Sequence, residues 1–191
     1  MSNAEKLKQT IRNYTESFPY DSIDFILDLL ASIVILDVEA YLEEEYDAAF
    51  RDGLDGWLSV GSDEAARHAA VHAVVDGKTF ADRINEYALE DLETFESKVA
   101  ALIDTDGHRV RSCGTLDAGK ELDNVGLKVY KTWYGMLDEK ERDPHVRLEG
   151  QTVPLDGLFE IDGLTAPAPG LFGDPSMDCN CRCEIRLTVT E

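Results

Sequence analysis

Asn180-Cys181-Arg182-Cys183-Glu184-Ile185-Arg186-Leu187-Thr188-Val189-Thr190 is the stretch on which the fold turns. Its odd-numbered residues, Cys181, Cys183, Ile185, Leu187 and Val189, are apolar or weakly polar, and Arg182, Glu184, Arg186, Thr188 and Thr190 between them are polar. Side chains of a strand point alternately to its two faces, so this period of two predicts a terminal strand with one dry and one wet face. A similar pattern lies upstream, where Val129, Lys131 and Trp133 alternate with Tyr130, Thr132 and Tyr134. Its aromatic and β-branched content suits a strand as well. Gln151 to Leu155 adds a short extended piece, and the glycine and proline of 157–175 predict an ordered loop without much regular structure.

Towards the N-terminus the period lengthens to that of helices. Phe25 to Leu36 is the most apolar run of the chain and heads a helix from Ile23 to about Phe50, with Asp21 or Ser22 as its cap. Asp24, Asp28, Ser32, Glu39 and Glu43 form one narrow wet stripe, so this helix is buried on most sides. It is either a central core helix or an apolar docking surface for another subunit. Asp28, Asp37 and Glu39 fall too close together for a membrane span. Ser62-Asp63-Glu64 opens a second, alanine-rich helix that runs through Val75 and closes at Asp76-Gly77. Thr79 caps a third from Phe80 to about Ile103, striped by Phe80, Ile84, Tyr87, Leu89, Leu92, Phe95, Val99 and Leu102. Beyond it, Gly114, Gly119 and Gly126 punctuate a weaker helical stretch. Residues 1–20 are a polar lead-in closing at Phe18-Pro19-Tyr20, 21–105 a helical region, and 106–191 the part that carries the strands. The class that follows is α+β, a helical N-terminal half followed by a small β-containing C-terminal domain.

At 191 residues, 43% hydrophobic and 30% charged, the chain has the composition of a folded domain rather than a disordered segment. Its net charge of -21, with only 18 Lys and Arg, argues against strong nucleic-acid binding, which needs clustered cations to neutralise phosphates. Partners should be basic or apolar. No signal-peptide succession opens the chain, so cytosolic synthesis is expected and the four cysteines need not pair.

Two clusters carry candidate chemistry. His145 with Asp138, Asp143 or Asp156 could act as an acid–base pair, with Arg142 or Arg182 stabilising phosphate charge, since a carboxylate can orient an imidazole that titrates near neutral pH. His145, Arg142 and Asp138 could instead form a buried polar network that satisfies the backbone of the glycine-rich loop. Cys181 and Cys183, with Cys179 and His145, have the ligand types of a zinc site. As residues of one strand face, the two thiols would equally serve as small core hydrophobes, about 7 Å apart at the backbone, and a disulfide to Cys113 is a further alternative. No cofactor other than zinc is suggested. His68 and His72, four apart on one helix face, have a metal-binding spacing but lack a third ligand in sequence, which favours ordinary surface or core histidines.

Trp133, Asp138-x3-Arg142-x2-His145, Gly150-Gln151-x-Val153, Asp156, Phe159, Gly173-Asp174-Pro175 and Asn180-Cys181-Arg182-Cys183, in this order and spacing, resemble the phage Mu F-like minor head protein domain of tailed phages and prophages. Gly77-Lys78-Thr79-Phe80 resembles an upstream segment of the same family, so the likeness spans roughly 77–187. It implies a head-morphogenesis domain over 106–191, a signature set of Trp133, Asp138, Arg142, His145, Gly150, Asp156, Asn180, Cys181, Arg182 and Cys183, and no defined catalytic activity. It also implies portal, capsid or scaffold proteins as partners and a final place inside the virion head. Asp178-Cys179 stands where many members carry His-Pro, and Leu116-Asp117 where a Thr-Glu pair is common. The alternative is a small phage-encoded nuclease-like or transferase-like enzyme built on His145 with its neighbouring Arg and Asp residues.

Overall fold

The computed structural model describes residues 1–17 and 23–190, so the closing turn at Phe18-Pro19-Tyr20 and the cap at Asp21 or Ser22 lie outside the described residues. The polar N-terminus is helical: α1 spans Asn3–Glu16, opened by a capping box in which Ser2 accepts from the Glu5 amide and Glu5 from the Ser2 amide. Its sparse apolar stripe hides among polar residues, yet Ile11 is buried, and Leu7 and Tyr14 pack beside it. Lys8 to Asp104 and Arg12 to Glu96 tie the outer face of α1 to a later helix.

The frame is a pair of long helices, α2 (Ile23–Leu54) and α5 (Leu92–Asn124). Leu27, Leu30, Val34, Val38, Leu42 and Tyr46 of α2 fall at helical spacing and are all buried, as are Phe95, Val99, Leu102, Ile103 and Val110 of α5. The core-helix expectation for α2 therefore accounts for most of its surface, while Leu29, Ile33 and Leu36 remain exposed on its outer side. Among the described residues no helix is long and apolar enough to cross a membrane.

Between these helices lie α3 (Glu64–Val71), capped by Asp63, and α4 (Phe80–Tyr87), capped by Thr79 in a reciprocal box with Asp82. Three helix boundaries differ from those expected. The second helix stops at Val71, because Asp76 (φ 52°) and Gly77 (φ 79°) turn the chain so that Val75 bridges back to Lys78. The third breaks after Tyr87, where Leu89 is exposed and Asp91 caps a fresh helix through the Thr94 amide. That fresh helix, α5, then runs without interruption through the glycine-punctuated stretch to Asn124. A mid-helix glycine costs about 1 kcal/mol relative to alanine, and close packing offsets this. A Cβ at Gly114 would strike the Tyr46 carbonyl oxygen, and one at Gly107 would lie 2.5 Å from the Tyr41 hydroxyl.

The C-terminal lobe is a three-stranded antiparallel sheet with strand order β2-β1-β5, where β1 is Lys128–Tyr134, β2 Thr152–Pro154 and β5 Glu184–Thr190. Register runs from Lys128 opposite Thr190 to Tyr134 opposite Glu184, which sets Val129, Lys131 and Trp133 beside Val189, Leu187 and Ile185 on one face. One end of that face packs on Phe50, Leu54, Ala118 and Leu122 of the helix pair. The other covers a second core of Trp133, Leu148, Phe159, Met177, Cys181, Cys183 and Ile185. Between β1 and β2 lies α6 (Asp143–Leu148), and after β2 the supposedly irregular 157–175 contains a hairpin, β3 (Phe159–Ile161) with β4 (Leu164–Ala166). Its turn, Asp162 (φ 52°) and Gly163 (φ 80°), has the two left-handed residues that tight hairpins need, an Asp-Gly signal that the surrounding glycine and proline obscure. A single turn, α7 (Pro175–Asp178), precedes the cysteines, and β5 begins only at Glu184 although the buried–exposed alternation starts at Cys181.

Candidate functional site

Asp138, Arg142 and His145 reach the segment between α7 and β5, where the chain has no ladder to satisfy its backbone. Arg142, at the N-terminus of α6, makes no helix cap and instead donates Nη1 to the Met177 carbonyl at 2.7 Å and Nη2 to the Cys179 carbonyl. Asp138 and Arg182 form a two-pronged ion pair at 2.6 and 2.5 Å. The Arg182 guanidinium holds the Asp138 carboxyl down at about 2. Gly150, left-handed at φ 73°, ends α6, and its amide donates to the Trp133 carbonyl while the Trp133 amide donates to Gln151. A side chain at 150 would be strained in that conformation, which explains the glycine. Asn180 is also left-handed, at φ 54°.

Asp178 accepts from the Phe172 amide at 3.1 Å and the Gly173 amide at 2.8 Å. Burial pushes its pKa up against these bonds. Asp178 thus places a carboxylate where it closes the 172–178 loop. Asp156 is exposed, and its charge opposes the burial that drives the Lys131 ammonium down to about 8. Lys131 is only 1% exposed, its Nζ over the Phe159 ring.

His145 lies in the middle, 3% exposed and edge-on to the Trp133 ring. Its Nδ1 is 3.2 Å from the Cys183 sulfur and 3.5 Å from the Cys181 sulfur, while its Nε2 is buried without a hydrogen-bond partner. The Cys183 thiol donates to Glu141 at 3.1 Å. The two thiols are poised unequally. The neighbouring Cys183, with His108 and His145 adding to it, lowers the pKa of Cys181 against the upward pull of burial, whereas Cys181, burial and the Glu141 carboxylate raise that of Cys183. Cys179 is exposed and contributes its carbonyl, and Cys113 sits on α5, packed against the helical core.

The structure therefore brings His145, Cys181 and Cys183 into one buried group, and commits Asp138 and Arg142 to other partners. Glu141 and His108 were not singled out from sequence. Glu141 belongs to a polar run like any solvated face, and His108 is on a helix far along the chain, so no local pattern marks either. The cleft beside the group, bounded by Glu141, Arg142, His145, Cys181 and Cys183, has a volume of about 20 Å³. That is room for a water or a bare ion; larger cavities of about 430 and 540 Å³ border Cys183 and Cys181 respectively, and His145 lines neither. His68 and His72 stack on each other at 4.2 Å, and His72 pairs with Glu39 at 2.9 Å.

The model of the family described as "Phage Mu protein F like protein" matches residues 64–186, from α3 to the middle of β5. The chain belongs to the phage Mu protein F-like family. Among curated proteins it is 35% identical over 86 residues to the minor head protein GP7 of Bacillus phage SPP1, covering 44% of this chain and 28% of that protein. It is also 30% identical over 124 residues to the NAD(+)--arginine ADP-ribosyltransferase EFV of Enterococcus faecalis, covering 63% of this chain and 25% of that protein. The chain thus spans about a quarter of the length of these two curated relatives. No solved structure matches it. The Mu F-like match takes in every signature residue, and α1 and α2 precede it.

Proposed function

We propose that this protein is a minor head protein of a tailed phage or prophage, acting structurally in head morphogenesis beside the portal and housed inside the virion head. The observation that carries this reading is the family match over 64–186, joined by the likeness to a phage minor head protein. Supporting it, these residues are occupied in holding the chain: Arg142 on two carbonyls, Asp138 on Arg182, and the Gly150 backbone at a turn. The surface offered to a portal, capsid or scaffold partner is the Leu29, Ile33 and Leu36 stripe of α2, exposed at helical spacing and outside the matched segment. A net charge of -21 favours a partner whose contact surface is apolar with a basic rim. Co-expression with the portal protein of the same phage tests the reading: a complex on gel filtration that Leu29→Glu and Leu36→Glu weaken is expected. No complex, together with unimpaired heads after deletion of the gene, would overturn it.

A second reading, an enzyme using His145 with Arg142 and Asp138, draws on the printed name of the transferase relative. The 20 Å³ cleft and the buried imidazole count against a substrate reaching His145. Incubation of the wild-type chain with NAD and arginine, and separately with DNA and RNA, discriminates the two. Turnover lost in His145→Ala would establish the enzyme.

A further inference from the structure

We propose that His145, Cys181 and Cys183 hold a zinc ion, with Glu141 closing the fourth position. The three side chains are buried, and their ligand atoms lie within 4.8 Å of one another. With bond lengths of about 2.3 Å to sulfur and about 2.1 Å to nitrogen, a tetrahedral site has a sulfur-to-nitrogen edge of about 3.6 Å. The observed 3.2 and 3.5 Å from Nδ1 to the two sulfurs are within a few tenths of that edge, so shifts in side-chain torsion alone would seat the ion. Glu141 lies outside this 4.8 Å group but has Oε1 3.1 Å from the Cys183 sulfur on the wall of the same cleft, so a turn of its side chain would bring the carboxylate to the fourth position, and the 20 Å³ suits an ion.

The chemistry of the group favours a metal over plain packing. An imidazole buried to 3% exposure would ordinarily find strong hydrogen-bond partners, yet the Nδ1 that would take the ion faces only two thiols, which are weak donors and acceptors. Thiolate and imidazole together select zinc over magnesium or calcium, which prefer oxygen ligands. Binding converts each ligating thiol to thiolate and delivers its proton to solvent. Two thiolates and a carboxylate against a divalent ion leave one negative charge, and Arg142, whose own bonds go to neutral carbonyls, lines the same cleft to meet it. The ion would fasten three segments with no strand ladder between them: the loop carrying Glu141, helix α6, and the approach to β5.

The test uses the full chain, expressed in zinc-supplemented medium and purified under reducing conditions without chelator. About one zinc per chain is expected, removed by a strong chelator with a fall in Tm and restored by adding zinc back. The cobalt-loaded protein should show a thiolate charge-transfer band that weakens in Cys183→Ser and persists in Cys113→Ser. Glu141→Gln should lower zinc affinity by about 10-fold or more. A wild-type content below about 0.1 zinc per chain, with no uptake on titration of the metal-free protein at concentrations where structural zinc sites are filled, overturns the proposal. So does a Cys181–Cys183 disulfide that accounts for both thiols. The wild-type measurements decide the matter even if a ligand variant fails to fold.

Discussion

Along the α2–α5 pair, rows of Leu, Val, Ile and Phe at helical spacing bury one another over many turns, whereas the C-terminal lobe has two strands of seven residues, three of three, and a long connection through 167–183. The first region can rely on apolar area. The second has a small core around Trp133 and must hold its loops by side chains reaching backbone: Arg142 on Met177 and Cys179, Asp178 on Phe172 and Gly173, Ser112 on the Pro169 carbonyl at 2.8 Å. Side chains that reach backbone gather in the second region because a loop without a ladder specifies its fold through particular polar atoms, while a helix pair accepts many apolar substitutions.

The helical half does contain one polar knot, and removing it sets the scale. Asp106, 1% exposed, accepts from Arg109 at 2.9 Å and Arg83 at 2.7 Å, and Arg109 donates on to the Ala70 carbonyl. Asp106→Ala should cost about 3–5 kcal/mol in chemical denaturation, since it strands buried positive charge. A loss below 1 kcal/mol would show that the helix pair stands on apolar burial alone. Arg142→Ala should cost less, about 1.5–3 kcal/mol for two charge-assisted bonds, and its damage should be local. Limited proteolysis should cut within 170–182 while the helical circular-dichroism signal persists. Global unfolding by the same change would erase the distinction between the two regions.

Lys131 runs the other way. Its folded pKa of about 8 lies below the unfolded value near 10.4, so the buried ammonium destabilises fully below pH 8, and the penalty fades as pH rises from 8 towards 10. Lys131→Met should stabilise the protein by about 1 kcal/mol at pH 7, with the gain over wild type shrinking by pH 10. A gain that grows with pH would contradict the assignment. The smallest effect belongs to Asp138→Asn. Its ion pair with Arg182 lies on the surface, about 40% exposed on both sides, so Tm at 0.15 M salt should be indistinguishable from wild type.

Legibility from sequence follows the same divide. Period-two alternation marked β1 and the dry face of β5, and period 3.6 marked α2, because each pattern is local. The continuity of α5 through Gly107 and Gly114 was not legible, since the reason for those glycines is Tyr41 and Tyr46 on another helix. In α1, Ile11 and Leu7 were too few among polar neighbours to announce a buried stripe. In the site, the nearness of Cys181 and Cys183 to each other could be read off their spacing, but not the placement of His145 between them and Glu141, which depends on how α6 docks under Trp133.

The structural account of the protein is tested most directly by quantitative mass spectrometry of heads purified from the phage or induced prophage that encodes it. The account expects peptides spanning α1 to β5 in the purified heads, at a low ratio to the major capsid protein. Intact, folded protein found in the host lysate and absent from heads and assembly intermediates would contradict it.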